Sequence, residues 1–174
     1  MTLLSILWLC VFILTMITLI SFIWVIAPFF PTRTNHLDAI NDICDLKPGE
    51  KFYELGCGTG KVTRYLAQKN PETEFVAIEM AVVLYLITKL KSWRLKNVTV
   101  KWKNLFWEDL SEANGLYVFA MTDSLNVKLR AKFLKELKPG TRIISYVFSM
   151  KDWPGTSEDF PQPEGKTVIH RYIV

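Results

Sequence analysis

Three glycines fall within five residues at the close of an apolar run, FYELGCGTG, residues 52–60. A short apolar run ending at Gly56, Gly58 and Gly60 reads as a strand that meets a turn. Either the turn merely joins that strand to a helix, or its backbone is bare so that a cofactor can press against it. Glu54, two residues ahead of the first glycine, places a carboxylate beside the turn.

The rest of the chain supplies the context. After a helix capped by Asn35, with Asp38 in its first turn and Leu37, Ile40, Ile43 and Cys44 as its apolar stripe, Lys47-Pro48-Gly49 stops the element. Strands are expected at 51–57, 74–79, 98–103, 115–121 and 142–148, with one terminal strand at 166–174. Helices are expected at 61–69, 81–94 and 127–137, the last with Ser124 as its candidate cap. Val98, Val100 and Trp102 should share one face of the third strand. Strands alternating with helices imply an α/β fold with a parallel sheet, right-handed crossovers and helices on both faces. The near-continuous apolar runs of strands one, two, four and five suit burial on both faces.

On this map the glycine turn lies at the carboxyl end of the first strand, where doubly wound sheets bind ligands. Glu79 closes the second strand 19 residues after Gly60, the place from which a carboxylate takes ribose hydroxyls. The pattern here is G-x-G-x-G, one residue shorter than the dinucleotide fingerprint. Glu54 would repel a diphosphate and attract a cation. S-adenosylmethionine carries a sulfonium and an ammonium, so it fits where a dinucleotide does not.

Charge divides the chain in two. All 21 Lys and Arg and all 17 Asp and Glu lie after position 32, and residues 3–27 are almost wholly apolar. About 20 such residues suffice to cross a bilayer as a helix. A cleaved signal peptide would need a positive n-region and a small-residue cleavage site, and neither is present before Pro28. The organisation expected is therefore a single-pass transmembrane anchor over residues 1–30, a connector and short helix over 31–46, and a ligand-binding domain over 47–174. Arg33, Lys47 and Lys51 follow the span while the N-terminal tail has no cation, which sets the domain on the cytoplasmic side of an inner or organellar membrane. The three cysteines show no metal spacing and suit a reducing compartment. A net charge of +4 fits a domain beside anionic lipid and is too small to argue for nucleic acid.

ELGCGTG, followed by VAIE, NLF and LKPGTRIISY, resembles the class I S-adenosylmethionine-dependent methyltransferases across residues 46–150. The apolar N-terminus, ELGCGTGK and YVFSMKDWP are similar to small membrane-anchored protein-lysine methyltransferases, whose eukaryotic members act on the ATP synthase c subunit and the adenine nucleotide translocase. The resemblance implies a Rossmann-like sheet, S-adenosylmethionine as cofactor and no metal. It implies a lysine of a membrane protein as acceptor and the lipid bilayer as a further partner. Glu54, Gly56, Gly58 and Gly60, with Cys57 and Thr59 between them, would line the methionine end. Glu79 would meet the ribose, and Met80, Asn104 and Leu105 the adenine. Asn104 stands where the family often has Asp, and the single terminal strand leaves little room for a substrate-recognition insert.

For chemistry, Asp123 follows the fourth strand and would orient or deprotonate an amine, or else cap the next helix with Ser124. His36 reads as a surface histidine, His170 as structural, and Cys57 as a packing residue in the turn. Residues 91–107, KSWRLKNVTVKWKNLFW, read either as a face resting on headgroups or as a strand with Trp102 inward and Lys101 and Lys103 solvated. Methylation of a lipid, a quinone or another small molecule is an alternative activity, and a non-catalytic tethered module is an alternative class. Base methylation would call for an Asn/Asp-Pro-Pro-aromatic motif where MTDSL stands.

Overall fold

The computed structural model describes residues 2–23, 31–165 and 167–174. Helix α1 (Leu3–Ile23) forms within the apolar span, and its side chains, described as far as Leu19, are mostly exposed. Among the described residues no helix is long and apolar enough to cross a membrane. The apolar span over 3–27 and the anchor expected over 1–30 extend into residues 24–30, outside the described ones.

Strand β1 (Lys51–Leu55) is buried from Phe52 onward. It pairs in parallel with β2 (Glu74–Glu79) and β4 (Gly115–Val118). β3 (Val98–Trp102) extends the sheet beyond β2, and β5 (Arg142–Tyr146) extends it beyond β4. β6 (Thr156–Pro161) and β7 (Val168–Ile173) close the far edge, in the order β3-β2-β1-β4-β5-β7-β6. β7 runs antiparallel to both of its neighbours. The parallel strands β3-β2-β1-β4-β5 are what the strand–helix alternation predicts, and the antiparallel β7 makes this Rossmann-like sheet mixed.

Helix α2 (Leu37–Cys44), α3 (Lys61–Lys69) and α4 (Val82–Ser92) precede β1, β2 and β3 in turn. Ile40, Ile43, Val62 and Leu66 pack on Phe52, Phe75, Tyr117, Ile144 and Tyr146 at one face of the sheet. The opposite face buries Tyr53, Leu55, Val76, Ile78, Leu116, Val118 and Ile143 under Leu125, Leu129 and Phe133. Each such buried side chain contributes about 1.5–3 kcal/mol, and truncating the fully buried Phe133 to Ala would cost about 3–5 kcal/mol. α1 rests against α4.

Three details depart from the sequence expectation. The terminus has two strands: β6, TSEDFP, is an exposed edge strand with no buried face to impose an apolar pattern. Trp102 points outward at 58% exposure, its indole N–H donating to the Met80 carbonyl at 2.9 Å, while Lys101 and Lys103 converge on the buried Glu108 carboxylate. The helix after β4 begins with a π-helical stretch, Ser124–Leu129, and continues as α5 (Arg130–Glu136). Asn126 lies in that wide stretch and ties Thr122 to the loop after β5.

Candidate active site

The glycines do different work. Gly56 leaves β1 at φ +78°, its N–H and that of Cys57 donating to the Ile78 carbonyl at 3.0 and 2.9 Å. A Cβ at Gly56 would meet nothing within 4 Å, so the bareness there opens a surface. Gly60, at φ +66°, is bare for packing: a Cβ would lie 2.4 Å from Cγ2 of Thr88. Thr88, fully buried on α4, donates its hydroxyl to the Gly58 carbonyl at 2.7 Å. Gly58 takes φ +55° between them, a left-handed backbone that other residues adopt at a cost. Thr59 is half-buried, and Cys57 is a packing residue whose thiol is held well above its ordinary pKa, chiefly by burial.

Both carboxylates turn inward. Glu54 accepts from the Thr63 backbone N–H at 2.8 Å and from the Thr63 hydroxyl, satisfying the first turn of α3. Burial pushes its carboxyl up to about 7, against the lowering effect of the Thr63 bonds. Glu79 accepts from Gly58 N–H at 2.8 Å, and its other oxygen accepts from Met80 and Ala81 N–H at 2.9 and 2.8 Å. Its pKa is also raised, first by burial, with the three backbone bonds opposing. Glu79 thus joins the glycine turn to the loop after β2.

On the β2–β3 side, Met80 is anchored through its carbonyl by Trp102, and Asn104 caps the short 3-10 turn Leu105–Trp107 by accepting from Phe106 N–H at 3.0 Å. An adenine amine at Asn104 would share that oxygen. On the β4–β5 side, Leu55 pairs with Val118 and Val118 with Ser145, so Phe119 and Tyr146 follow across from the glycine turn. Phe119 meets Tyr146 edge-on at 4.9 Å between ring centroids and Phe148 at 6.1 Å. Val147 carries φ +72° at the centre of a γ-turn closed by Phe148 N–H on the Tyr146 carbonyl at 2.9 Å. A β-branched residue rarely adopts that backbone, and the strain of about 1–3 kcal/mol fixes where Phe148 lies.

Asp123 is exposed in the first turn after β4 and its side chain makes no capping hydrogen bond, so the cap expected of Asp123 is not formed. His36 is buried at 2% exposure, not superficial, and its Nδ1 lies 2.8 Å from the Tyr146 hydroxyl. Thr32 lies 2.7 Å from the Tyr117 hydroxyl, and the Lys61 ammonium donates to the Thr32 carbonyl at 2.9 Å. His170 is structural: its Nδ1 lies 2.6 Å from Asp159 and its Nε2 3.3 Å from the Val147 carbonyl. Thr63, Thr88, Phe119, Asn126 and Tyr146 were not legible as site residues. Thr63 alone left a signal, a hydroxyl at the third position of the helix behind the turn.

Residues 54–157 match the family described as the ANTKMT methyltransferase domain. Over 129 residues the chain is 29% identical to a protein-lysine N-methyltransferase of Saccharolobus islandicus, a match covering 72% of this chain and 80% of that protein. An RNA methyltransferase from Salinibacter ruber, solved with S-adenosyl-L-homocysteine, shares the fold at a TM-score of 0.75 and 25% identity, covering 83% of this chain and 93% of that one. A precorrin-6y C5,15-methyltransferase of Geobacter metallireducens shares the fold at a TM-score of 0.66 and 14% identity, with 86% and 93% covered. With the open Gly56 and the paired inward carboxylates, these likenesses define a class I S-adenosylmethionine-dependent methyltransferase. The chain belongs to the ANTKMT methyltransferase domain family.

Proposed function

We propose that the protein methylates a lysine side chain of a membrane protein, moored by residues 1–30 with its α/β domain on the cytoplasmic side. The observation that carries the acceptor assignment is the aromatic edge opposite Gly56, where Phe119, Tyr146 and Phe148 meet. A methylene-rich lysine side chain suits such walls. The likeness to a protein-lysine N-methyltransferase supports the same acceptor, and the charge-free N-terminus supports the mooring.

Gly56, Cys57, Gly58, Thr59 and Gly60 would hold the methionine end of the cofactor with Glu54 behind them. Glu79 would hold the ribose, and Met80, Asn104 and Leu105 the adenine. When bound, S-adenosylmethionine supplies a methyl group already activated on a sulfonium. The chain's task is to present a neutral amine in line and keep water away. Deprotonating a lysine of pKa near 10.4 costs about 4–5 kcal/mol at neutral pH. Desolvation of the ammonium between the aromatic side chains lowers that cost, and Asp123 would orient the amine and pass its proton on to solvent.

Intact-mass comparison of membrane proteins from strains with and without the gene tests this reading. One species should be lighter by methyl increments in the deletion strain, and unchanged masses throughout would refute it. RNA methylation is the second reading, favoured by the Salinibacter likeness and by the basic stretch over residues 89–103. Methyl transfer to RNA by the purified chain, with membrane-protein masses unaltered, would establish that instead.

A further inference from the structure

Between Met80 and Trp107 the chain has six Lys and Arg and no Asp or Glu. Those six exceed the net +4 of the whole chain, so the remainder is net acidic. Lys101 and Lys103 are taken up by Glu108. Lys89, Lys91, Arg94 and Lys96 are exposed and, among the described residues, have no carboxylate partner. Apolar side chains stand among them: Leu90 is 72% exposed, Trp93 71% and Trp107 76%, with Leu86 and Trp102 also outward. The Arg94 guanidinium lies 4.7 Å from the Trp93 ring centroid, so cation and indole are presented together.

We infer that the outer side of α4, with Trp102 and Trp107, docks on an anionic lipid surface. Tryptophan and leucine at headgroup depth, ringed by unpaired cations, match such a surface in both apolar and electrostatic character. α1 rests against α4, so the helix that carries the apolar span holds this face beside whatever the span enters. In that respect the inference rests on the membrane-moored reading. RNA would engage the cations but gain nothing from exposed Leu86 and Leu90, and so is the lesser match. Each unpaired cation should strengthen lipid contact about fivefold.

The test reconstitutes the full chain into phosphatidylcholine vesicles with and without phosphatidylglycerol, all carrying a brominated lipid that quenches nearby tryptophan. Quenching should be stronger with the anionic lipid. The gain should disappear at high salt and in Lys89→Glu/Lys91→Glu, and should shrink in Trp93→Phe/Trp107→Phe; all these residues are exposed, so the fold is retained. Flotation with both vesicle types but equal quenching overturns the docking face and keeps the mooring. Flotation with anionic vesicles alone supports the face and overturns the mooring, whereas flotation with neither overturns both. A gain in quenching that soluble RNA abolishes at lipid excess also overturns the face.

Discussion

Glu79, at the end of the second strand, accepts a hydrogen bond from the backbone N–H of Gly58 in the turn after the first, at 2.8 Å. With the two bonds from Met80 and Ala81, one carboxylate satisfies three N–H groups across two loops. Glu79→Ala leaves those donors without their acceptor, at about 1–3 kcal/mol for each that stays buried. A lower melting temperature and cofactor affinity down on the order of 100-fold are expected. Calorimetry and a thermal melt check both, and unchanged affinity would remove Glu79 from the binding site.

Gly60→Ala drives a methyl group into Thr88 and holds a non-glycine residue at φ +66°. Overpacking and the left-handed backbone together should cost about 2–4 kcal/mol. Adding Thr88→Ser removes the clashing Cγ2, keeps a hydroxyl for the Gly58 carbonyl, and should restore about half of the loss. Denaturant unfolding of the single and double variants reads this directly. A Gly60→Ala variant of wild-type stability would mean that the turn does not pack as described.

The Glu54 carboxyl, raised to about 7 by burial, binds its proton more tightly folded than unfolded. Its contribution to stability is therefore fully present below its unfolded pKa, roughly 4.3, and is lost as pH rises through 7. About 3–4 kcal/mol is at stake in the ligand-free protein. Glu79 is raised in the same direction, so Glu54→Gln should flatten the profile only in part. A cationic ligand favours the ionised carboxyl, so cofactor affinity should climb from pH 6 to pH 8 in the wild type and not in Glu54→Gln. Parallel profiles for the two proteins would dismiss the coupling.

Asp123→Asn should leave cofactor affinity unchanged and lower kcat on the order of 100-fold near neutrality. The deficit should shrink as pH approaches 10.4, where the acceptor amine deprotonates unaided. Steady-state rates across that range on a lysine substrate decide the matter. A kcat equal to wild type at pH 7 would leave Asp123 a surface residue.

Val147→Gly releases the φ +72° strain of about 1–3 kcal/mol but gives up the packing of Val147 on the core and adds chain entropy, so stability should change little. The substitution should lower kcat/KM for the lysine substrate, because Phe148 loses the turn that fixes it. Equal kcat/KM would show that the γ-turn is not part of the acceptor site.

The central strands and the glycine turn are readable because their physics is local. β1, β2, β4 and β5 bury both faces and are mostly apolar, with Glu54, Glu79, Arg142 and Ser145 as buried polar exceptions, and a bend at positive φ favours glycine. What is not readable depends on partners distant in the chain. β6 is polar because an edge strand has no buried face to fill. His36 has the sequence context of a surface histidine, and only the arrival of Tyr146, 110 residues later, buries it. Trp102 looks like an inward residue by alternation, yet the Met80 carbonyl and the open edge beyond β3 turn it out. The inward carboxylates are visible as residues but not as hubs, since Thr63, Gly58 and Ala81 reach them through the folded turn.

The segment leading from the apolar helix into the domain is fastened at Thr32, through Tyr117 and Lys61, and at His36, through Tyr146. Those ties leave no slack next to the acceptor edge. If residues 1–30 enter a bilayer, the chain enters the domain at Thr32, beside the acceptor edge, and the methyl donor is kept within a short distance of the lipid. Reach would then favour target lysines close to the lipid over those far from it.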